Sequence, residues 1–425
     1  MRFVKDILKD ERTAYQAGLI SRGMGLFLFS ILIAHRWSMS EIAKFESFSI
    51  LQYILFFSWL PAWGIVTLQE GNKGSKSEQK SFLFSNAVVC LLVVISLFGV
   101  ILIWRASLIP WLVFSFYEVA CILVILAGYF IMQMQVYYCY IFKEVKKQWV
   151  YAILQVGLWL LVALATKEFA AFIQWMAIIS GLYILMYLKH FVQAGWKFDR
   201  LFWSRVVTYG IYLAAGAGTV IFTAYYVQTY FGLGDQFNWY RYGTRELPFL
   251  PALLAGFAQS FLLFPSGDAG DFPYENLRKG LASQMYLIVL PICILMVFSS
   301  PIFTLIYGAH FEHAGTMMSI FLLIYIPRIL PTPMLMQALK LKGVLLRIGM
   351  LELCLVVLSL PVLVPRYGLA SVAGILVLGT LLERAMQMYY LHTRHGIKPA
   401  LYLPLGAFAV WTISLISACV LHYLL

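Results

Sequence analysis

The chain has 425 residues, of which 62% are hydrophobic and only 12% are charged, and its mean hydropathy is +0.83. This composition excludes a soluble protein with a single anchor and indicates a protein that crosses the membrane many times. A net charge of +12 would suggest nucleic-acid binding in a soluble protein, but in a membrane protein basic residues first report orientation.

Apolar segments of membrane-crossing length follow one another along the whole chain. The hydropathy pattern predicts thirteen of them, and their connections are too short to form a soluble domain. The predicted segments cover about residues 13–34, 43–68, 81–104, 108–140, 149–166, 170–188, 206–230, 236–264, 282–306, 315–339, 345–364, 368–392 and 401–425.

The basic residues predict the orientation of these segments. With the N-terminus in the cytoplasm, 21 of the 31 Lys and Arg residues fall on the cytoplasmic side and five on the opposite side. This asymmetry is typical of the positive-inside rule. The N-terminus is therefore expected in the cytoplasm and, because the number of segments is odd, the C-terminus outside.

The first twelve segments divide into two sets of six at the basic stretch 189–205. We therefore predict an all-α polytopic membrane protein with two six-helix lobes around a central cavity, a common plan for transporters. The predicted lobes are 1–200 and 201–392, and residues 393–425 form an extra C-terminal transmembrane helix.

Segment eight carries two arginines, Arg241 and Arg245, that are four residues apart and share a face if this segment is helical. Asn238 and Gln259 continue roughly the same stripe. A charge inside a spanning segment is costly, so two arginines on one face favour a wet cavity that binds an anion. The alternative is that the segment begins later and both arginines lie in the headgroup layer.

Arginines also lie within segments one and ten. Arg22 is flanked by glycines and either faces the same cavity or snorkels to the cytoplasmic interface. Arg328 lies between Pro327 and Pro331, which are expected to break its helix at membrane depth, where irregular backbone is tolerated against protein or a cavity. Together with Pro248 and Pro251 of segment eight, these prolines are candidate hinges.

Acidic residues inside the segments have two interpretations. Glu118 and Glu246 either neutralise an arginine or carry a coupling ion, H⁺ or Na⁺. Glu352 and the pair Glu383–Arg384 lie nearer the cytoplasmic ends and are interpreted as structural. The outer motif His310-x-Glu312-His313 lacks further ligands and is interpreted as a solvated loop, so no metal site or cofactor is expected.

No enzyme motif is present, and three stretches resemble a known family. The stretch 240–265 resembles an eighth helix, 59–74 resembles the end of a second helix with its cytoplasmic loop, and Tyr307, Gly308, Phe311 and Ala314 match an element after the ninth helix. The chain resembles the polysaccharide-exporter branch of the multidrug/oligosaccharidyl-lipid/polysaccharide (MOP) superfamily, which includes O-antigen (Wzx-type) flippases and the lipid II flippase.

The resemblance implies two six-helix lobes with alternating access and a diphosphate held by arginines of helices one and eight. Arg22 and Arg241 or Arg245 occupy those helices here. Two features depart from the lipid II flippase: segment two has no arginine, and there are thirteen segments instead of fourteen.

These observations predict a non-enzymatic flippase for an oligosaccharide linked to undecaprenyl diphosphate in the bacterial inner membrane, with proteins of glycan assembly as candidate partners. Arginine suits a diphosphate because its planar fork binds phosphate oxygens in bidentate fashion. We expect a monomer that contacts membrane lipids and no nucleic acid. The alternatives are a cation-coupled multidrug antiporter on the same fold and a non-transporting scaffold of envelope assembly.

Overall fold

The computed structural model describes residues 11–56, 59–70, 76–103, 114–193, 199–245, 273–339 and 341–425. Over these residues the chain is almost entirely helical and forms no β-strand, as the predicted all-α class requires. The helices, labelled in chain order, are α1 Glu11–Arg36, α2 Met39–Phe56, α3 Trp59–Glu70, α4 Lys76–Ile103, α5 Phe116–Ile141, α6 Val145–Ala165, α7 Phe169–Gln193, α8 Arg200–Phe231, α9 Asp235–Gly243, α10 Tyr274–Val297, α11 Ser299–Tyr307, α12 Glu312–Phe321, α13 Tyr325–Arg328, α14 Thr332–Ala338, α15 Lys342–Tyr367, α16 Ala370–His395, α17 Pro399–Tyr402 and α18 Leu405–Leu424.

Among the described residues, eight helical runs are long and apolar enough to cross a membrane. The chain is therefore a multi-pass membrane protein. The eight runs are Phe116–Cys139, Val145–Ala165, Phe169–Met186, Tyr274–Val297, Ala309–Ala338, Lys342–Tyr367, Ala370–His395 and Leu405–Leu424.

The chain divides into two compact units, Met1–Ala214 and Ala215–Leu425, and the boundary between them falls within α8. Each unit has its own set of buried side chains. The finer division predicted from the sequence, two six-helix lobes followed by a separate helix over 393–425, stays a prediction.

Aromatic rings fill the core of the first unit where α1, α2, α6 and α7 meet. The ring of Phe29 lies 4.7 Å from that of Phe45, 5.6 Å from that of Trp159 and 5.3 Å from that of Phe172, measured between centroids. Tilted and edge-on pairs at such distances are favourable beyond the apolar area that they bury. These rings therefore hold four helices together at one level of the unit.

Two hydrogen bonds fasten the α1–α2 turn to the α6–α7 turn in the first unit. The indole N–H of Trp37 donates to the carbonyl oxygen of Thr166 at 3.1 Å, and the backbone N–H of Phe169 donates to Glu41 Oε2 at 2.7 Å. The second bond satisfies an N–H at the start of α7 that has no partner within its own helix. Both bonds join residues that are far apart in the chain.

In the second unit, α18 runs parallel to α10. Near the start of both helices, Arg278 Nη1 lies 3.5 Å from the carbonyl oxygen of Ala400, which precedes α18. Near their ends, His422 Nδ1 lies 3.1 Å from the carbonyl oxygen of Val297. Trp411 and Leu415 of α18 are buried, so this helix is part of the packed core of its unit.

Candidate functional site

Arg22 lies on α1, in agreement with its predicted place in the first spanning segment. On this helix the described side chains begin at Met24, so the contacts of Arg22 lie outside the described part. Arg22 belongs to the first unit, whereas Arg241, Arg245 and Arg328 belong to the second. A shared role for these arginines stays a prediction.

The segment that carries Arg241 and Arg245 begins as a short helix, α9, which ends at Gly243. The backbone N–H and the hydroxyl of Thr244 both donate to the carbonyl oxygen of Tyr240, at 2.9 and 2.8 Å. Arg241 lies in the last turn, where the helix dipole favours a cation. Arg245 follows the end of α9, so the single helix face expected from the four-residue spacing is not formed.

Both arginines of this segment are partly buried, and the predicted polar neighbour Asn238 is fully buried. The guanidinium carbon of Arg245 lies 4.7 Å from the centroid of the Tyr242 ring, which is a cation–π contact. Four predicted residues of segment eight lie outside the described residues, namely Glu246, Pro248, Pro251 and Gln259.

A break in the helix surrounds Arg328. The chain passes through the short helix α13, which ends at Arg328, and α14 begins only at Thr332. Pro327 and Pro331 have no backbone N–H and therefore cannot donate the helical bond to the carbonyl four residues earlier. Arg328 is partly buried. The break is observed, while the hinge role of the two prolines stays a prediction.

Gln387 on α16 is the centre of a polar network that reaches this break. Thr332 donates its hydroxyl to Gln387 Oε1 at 2.7 Å, and Arg384 Nη1 donates to the same oxygen at 3.0 Å. Gln387 Nε2 donates to Glu383 Oε1 at 2.8 Å, and Glu383 pairs with Arg384 at 3.0 Å. Because Gln387 is fully buried, these bonds form in a medium of low dielectric, where polar contacts are strong.

Glu352 on α15 adds a second carboxylate near this network. Its side chain is buried, and Thr380 donates to Glu352 Oε1 over a long 3.4 Å. From the sequence, Glu352, Glu383 and Arg384 are interpreted as structural, and Gln387 is not among the predicted site residues. A signal was present, because Thr380, Arg384 and Gln387 recur at helical spacing and share one face of an apolar segment.

Glu118, a predicted coupling residue, lies in the first turn of α5. The backbone N–H of Ser115 donates to Glu118 Oε2 at 2.6 Å, and the backbone N–H of Glu118 lies 3.3 Å from the Ser115 hydroxyl. This reciprocal pair is a capping box, which satisfies two N–H groups at a helix start. The S-x-x-E pattern that predicts it is visible in the sequence.

Glu46 on α2 is a buried acid that is not among the residues predicted from the sequence. Its side chain has no exposed surface, and the neighbouring Ser47 is equally buried. The signal was its place within the predicted apolar segment 43–68, since a carboxylate inside such a segment is uncommon and often functional.

The His310-x-Glu312-His313 motif packs against α9. The indole N–H of Trp239 donates to the carbonyl oxygen of His310 at 2.7 Å, and the Trp239 and His313 rings lie 4.6 Å apart. Within the described ranges, no group of three or more His, Cys, Asp or Glu side chains is arranged to hold a metal ion.

The structure is similar to solved structures of membrane transporters over nearly its whole length. A structure of the lipid II flippase MurJ in an inward closed conformation aligns with a TM-score of 0.61 at 14% identity, over 93% of this chain and 91% of that one. An inward-facing multidrug resistance MATE family transporter of the MOP superfamily aligns with a TM-score of 0.61 at 14% identity, over 89% and 95% of the two chains.

A third similar structure is a MOP superfamily transporter from Pyrococcus furiosus, with a TM-score of 0.56 at 13% identity over 93% of this chain and 98% of that one. No protein-family model and no curated protein matches the sequence. At such low identity, similarity of structure reports the fold alone. The chain has the same fold as these solved transporter structures.

Proposed function

We propose that this protein is a flippase that moves an oligosaccharide linked to undecaprenyl diphosphate across the bacterial inner membrane by alternating access. The substrate combines a polar glycan, a diphosphate and a long lipid tail. The tail can stay in the bilayer, whereas the diphosphate requires cationic side chains on its way across. The proposal rests on two cationic side chains, Arg241 in the last turn of α9 and Arg245 just after the end of α9.

The observation that carries the proposal is the pair Arg241 and Arg245. Both side chains are partly buried, in a protein whose fold is that of membrane transporters. Arginines within membrane-spanning segments are costly and usually mark a substrate or ion pathway, and we propose that Arg241 and Arg245 line such a pathway. A guanidinium binds two phosphate oxygens through parallel N–H groups, which a lysine cannot do. Arg22 and Arg328 are proposed to contribute to the same binding.

A cation-coupled multidrug antiporter is the alternative. The similar MATE structures and the buried acids Glu46 and Glu352 favour it, because acids attract a cationic drug or a coupling cation. The two proposals differ in the sign of the charge that the substrate carries. Arginine substitutions therefore distinguish them, since loss of Arg241 and Arg245 weakens binding of an anion and not of a cation.

The test is transport of a fluorescent undecaprenyl-diphosphate oligosaccharide by purified protein in liposomes. We expect Arg241→Ala and Arg245→Ala to lower transport about 10- to 100-fold, because a hydrogen bond to a charged group contributes about 1.5–3 kcal/mol. Replacement by Lys should restore activity only in part. Arg366→Ala, at an exposed arginine of α15, is the matched control and should keep full activity.

Full transport by the double variant Arg241→Ala/Arg245→Ala would contradict the flippase proposal. If the same variant also left envelope assembly intact in cells, the result would favour the hypothesis of a non-transporting scaffold. If wild type failed to move the lipid diphosphate, and the double variant transported a lipophilic cation at the wild-type rate, the result would favour the multidrug antiporter.

We further propose that H⁺ or Na⁺ accompanies the substrate, with Glu118 and Glu246 as the carriers. Moving one charge against the membrane potential costs about 2.3 kcal/mol per 100 mV, which a co-moving cation reduces. Because Gln also serves in a capping box, Glu118→Gln removes the charge and keeps the cap. Both Glu118→Gln and Glu246→Gln should change the pH or sodium dependence of transport. A change in expression alone would make these acids structural.

A further inference from the structure

The element Tyr307-Gly308-x-x-Phe311 packs against Tyr242 of α9. The Tyr242 ring lies 5.0 Å from the Tyr307 ring, edge-on, and 4.4 Å from the Phe311 ring. Tyr307 in turn lies 5.2 Å from Phe303 on α11. All four rings are buried. We call Tyr242, Tyr307, Phe311 and Phe303 the aromatic seat.

The backbone of α9 lies unusually close to α12 beside this seat. A Cβ atom on Gly243 would lie 2.6 Å from the carbonyl oxygen of Ala314 and 2.6 Å from Met317 Cβ. Only glycine permits this approach, because any side chain would collide with backbone that cannot move aside. The close approach of Gly243 to Ala314 and Met317 therefore fixes where the end of α9 packs along α12.

Arg245 contacts the aromatic seat through the Tyr242 ring. Its guanidinium carbon is 4.7 Å from the centroid of the Tyr242 ring, which also packs against the rings of Tyr307 and Phe311. A cation–π contact attracts the charge through the ring quadrupole and does not require an N–H···O bond. The contact can therefore restrict the position of the guanidinium.

We propose that Tyr242 is a positioning residue that orders Arg245 for binding a diphosphate, and that Tyr307 and Phe311 fix the ring in place. This inference rests on the proposed function of Arg245. An arginine that is already ordered loses less conformational freedom when it binds its ligand, so affinity rises without any additional contact to the ligand. Tyr242 itself touches the arginine and not the substrate.

The test is a fluorination series at position 242 in purified, full-length protein in nanodiscs of neutral phosphatidylcholine, with inorganic pyrophosphate as the probe. Tyr242→Phe is the reference, and mono-, di- and trifluorinated phenylalanine replace it in turn. Fluorine withdraws electron density from the ring face and weakens a cation–π contact with little change of shape. We expect the affinity for pyrophosphate to fall with each added fluorine, and to be about fivefold or more lower for the trifluorinated variant than for Tyr242→Phe.

Two backgrounds separate this inference from the proposed function. In the Arg245→Ala background, pyrophosphate binding should be weak, and fluorination at position 242 should not change the affinity. If Arg245→Ala binds pyrophosphate like wild type, the proposed role of Arg245 is wrong, and this inference is wrong with it. Two other results would show that only the positioning role is wrong. In the first, Arg245→Ala weakens pyrophosphate binding, but fluorination at position 242 leaves the affinity unchanged while Arg245 is present. In the second, fluorination still lowers the affinity stepwise when Arg245 has been replaced by Ala.

A packing control excludes a general effect on stability. Tyr402 is fully buried in the same unit and makes no ring contact with the aromatic seat among the described residues. Tyr402→Leu and Tyr242→Leu should both lower the melting temperature, but only Tyr242→Leu should weaken pyrophosphate binding. Equal weakening by both would overturn the positioning role.

Discussion

Gln387 satisfies three polar side chains at once in the interior of the second unit. It accepts from Thr332 and Arg384 and donates to Glu383, with donor–acceptor distances of 2.7, 3.0 and 2.8 Å. A buried network of this kind is favourable only while every member keeps its partners. Removing its central amide therefore costs more than one hydrogen bond.

We predict that Gln387→Leu lowers the free energy of unfolding by about 3 kcal/mol, since each buried group left without a partner costs about 1–3 kcal/mol. Reversible unfolding in mixed micelles measures this change. Gln337→Leu, at an exposed glutamine of α14, is the control and should change stability by less than about 0.5 kcal/mol. A Gln387→Leu variant as stable as wild type would show that the network contributes nothing net.

Elements differ in how far the sequence alone predicts them. The apolar runs predict each described transmembrane helix, and the prolines beside Arg328 predict the break between α13 and α14, because both features depend on local chemistry. The end of α9 at Gly243 depends on Tyr307 and Ala314, which lie more than sixty residues away in the chain. A pattern read along the chain contains no information about such contacts.

The break at Pro331 leads to a prediction about transport rate. Pro331→Ala restores an N–H that can donate to the carbonyl oxygen of Pro327, so α13 and α14 can join into a stiffer helix. We expect turnover to fall several-fold while substrate affinity is unchanged, as for a residue that acts in a conformational step. Pro361→Ala is the control, because α15 continues through Pro361. Equal turnover in both variants would argue against a hinge.

At the scale of the whole molecule, orientation follows from two independent observations. The charge pattern predicts a cytoplasmic connection at Arg278 and Lys279, where α10 begins. The structure shows that α18 runs parallel to α10, so both cross the membrane in the same direction. Together they predict that the C-terminus lies on the side opposite to Lys279.

Cysteine labelling tests this orientation directly. In a variant without the six native cysteines, Lys279→Cys and Leu425→Cys are each exposed to a membrane-impermeant maleimide in intact spheroplasts. Leu425→Cys should be labelled from outside, whereas Lys279→Cys should react only after the membrane is permeabilised. α18 has 20 residues, about 30 Å at 1.5 Å per residue, which matches the hydrocarbon core. Labelling of both positions from the same side would mean that α10 or α18 does not cross the membrane, and the parallel pair would then have to lie along its surface.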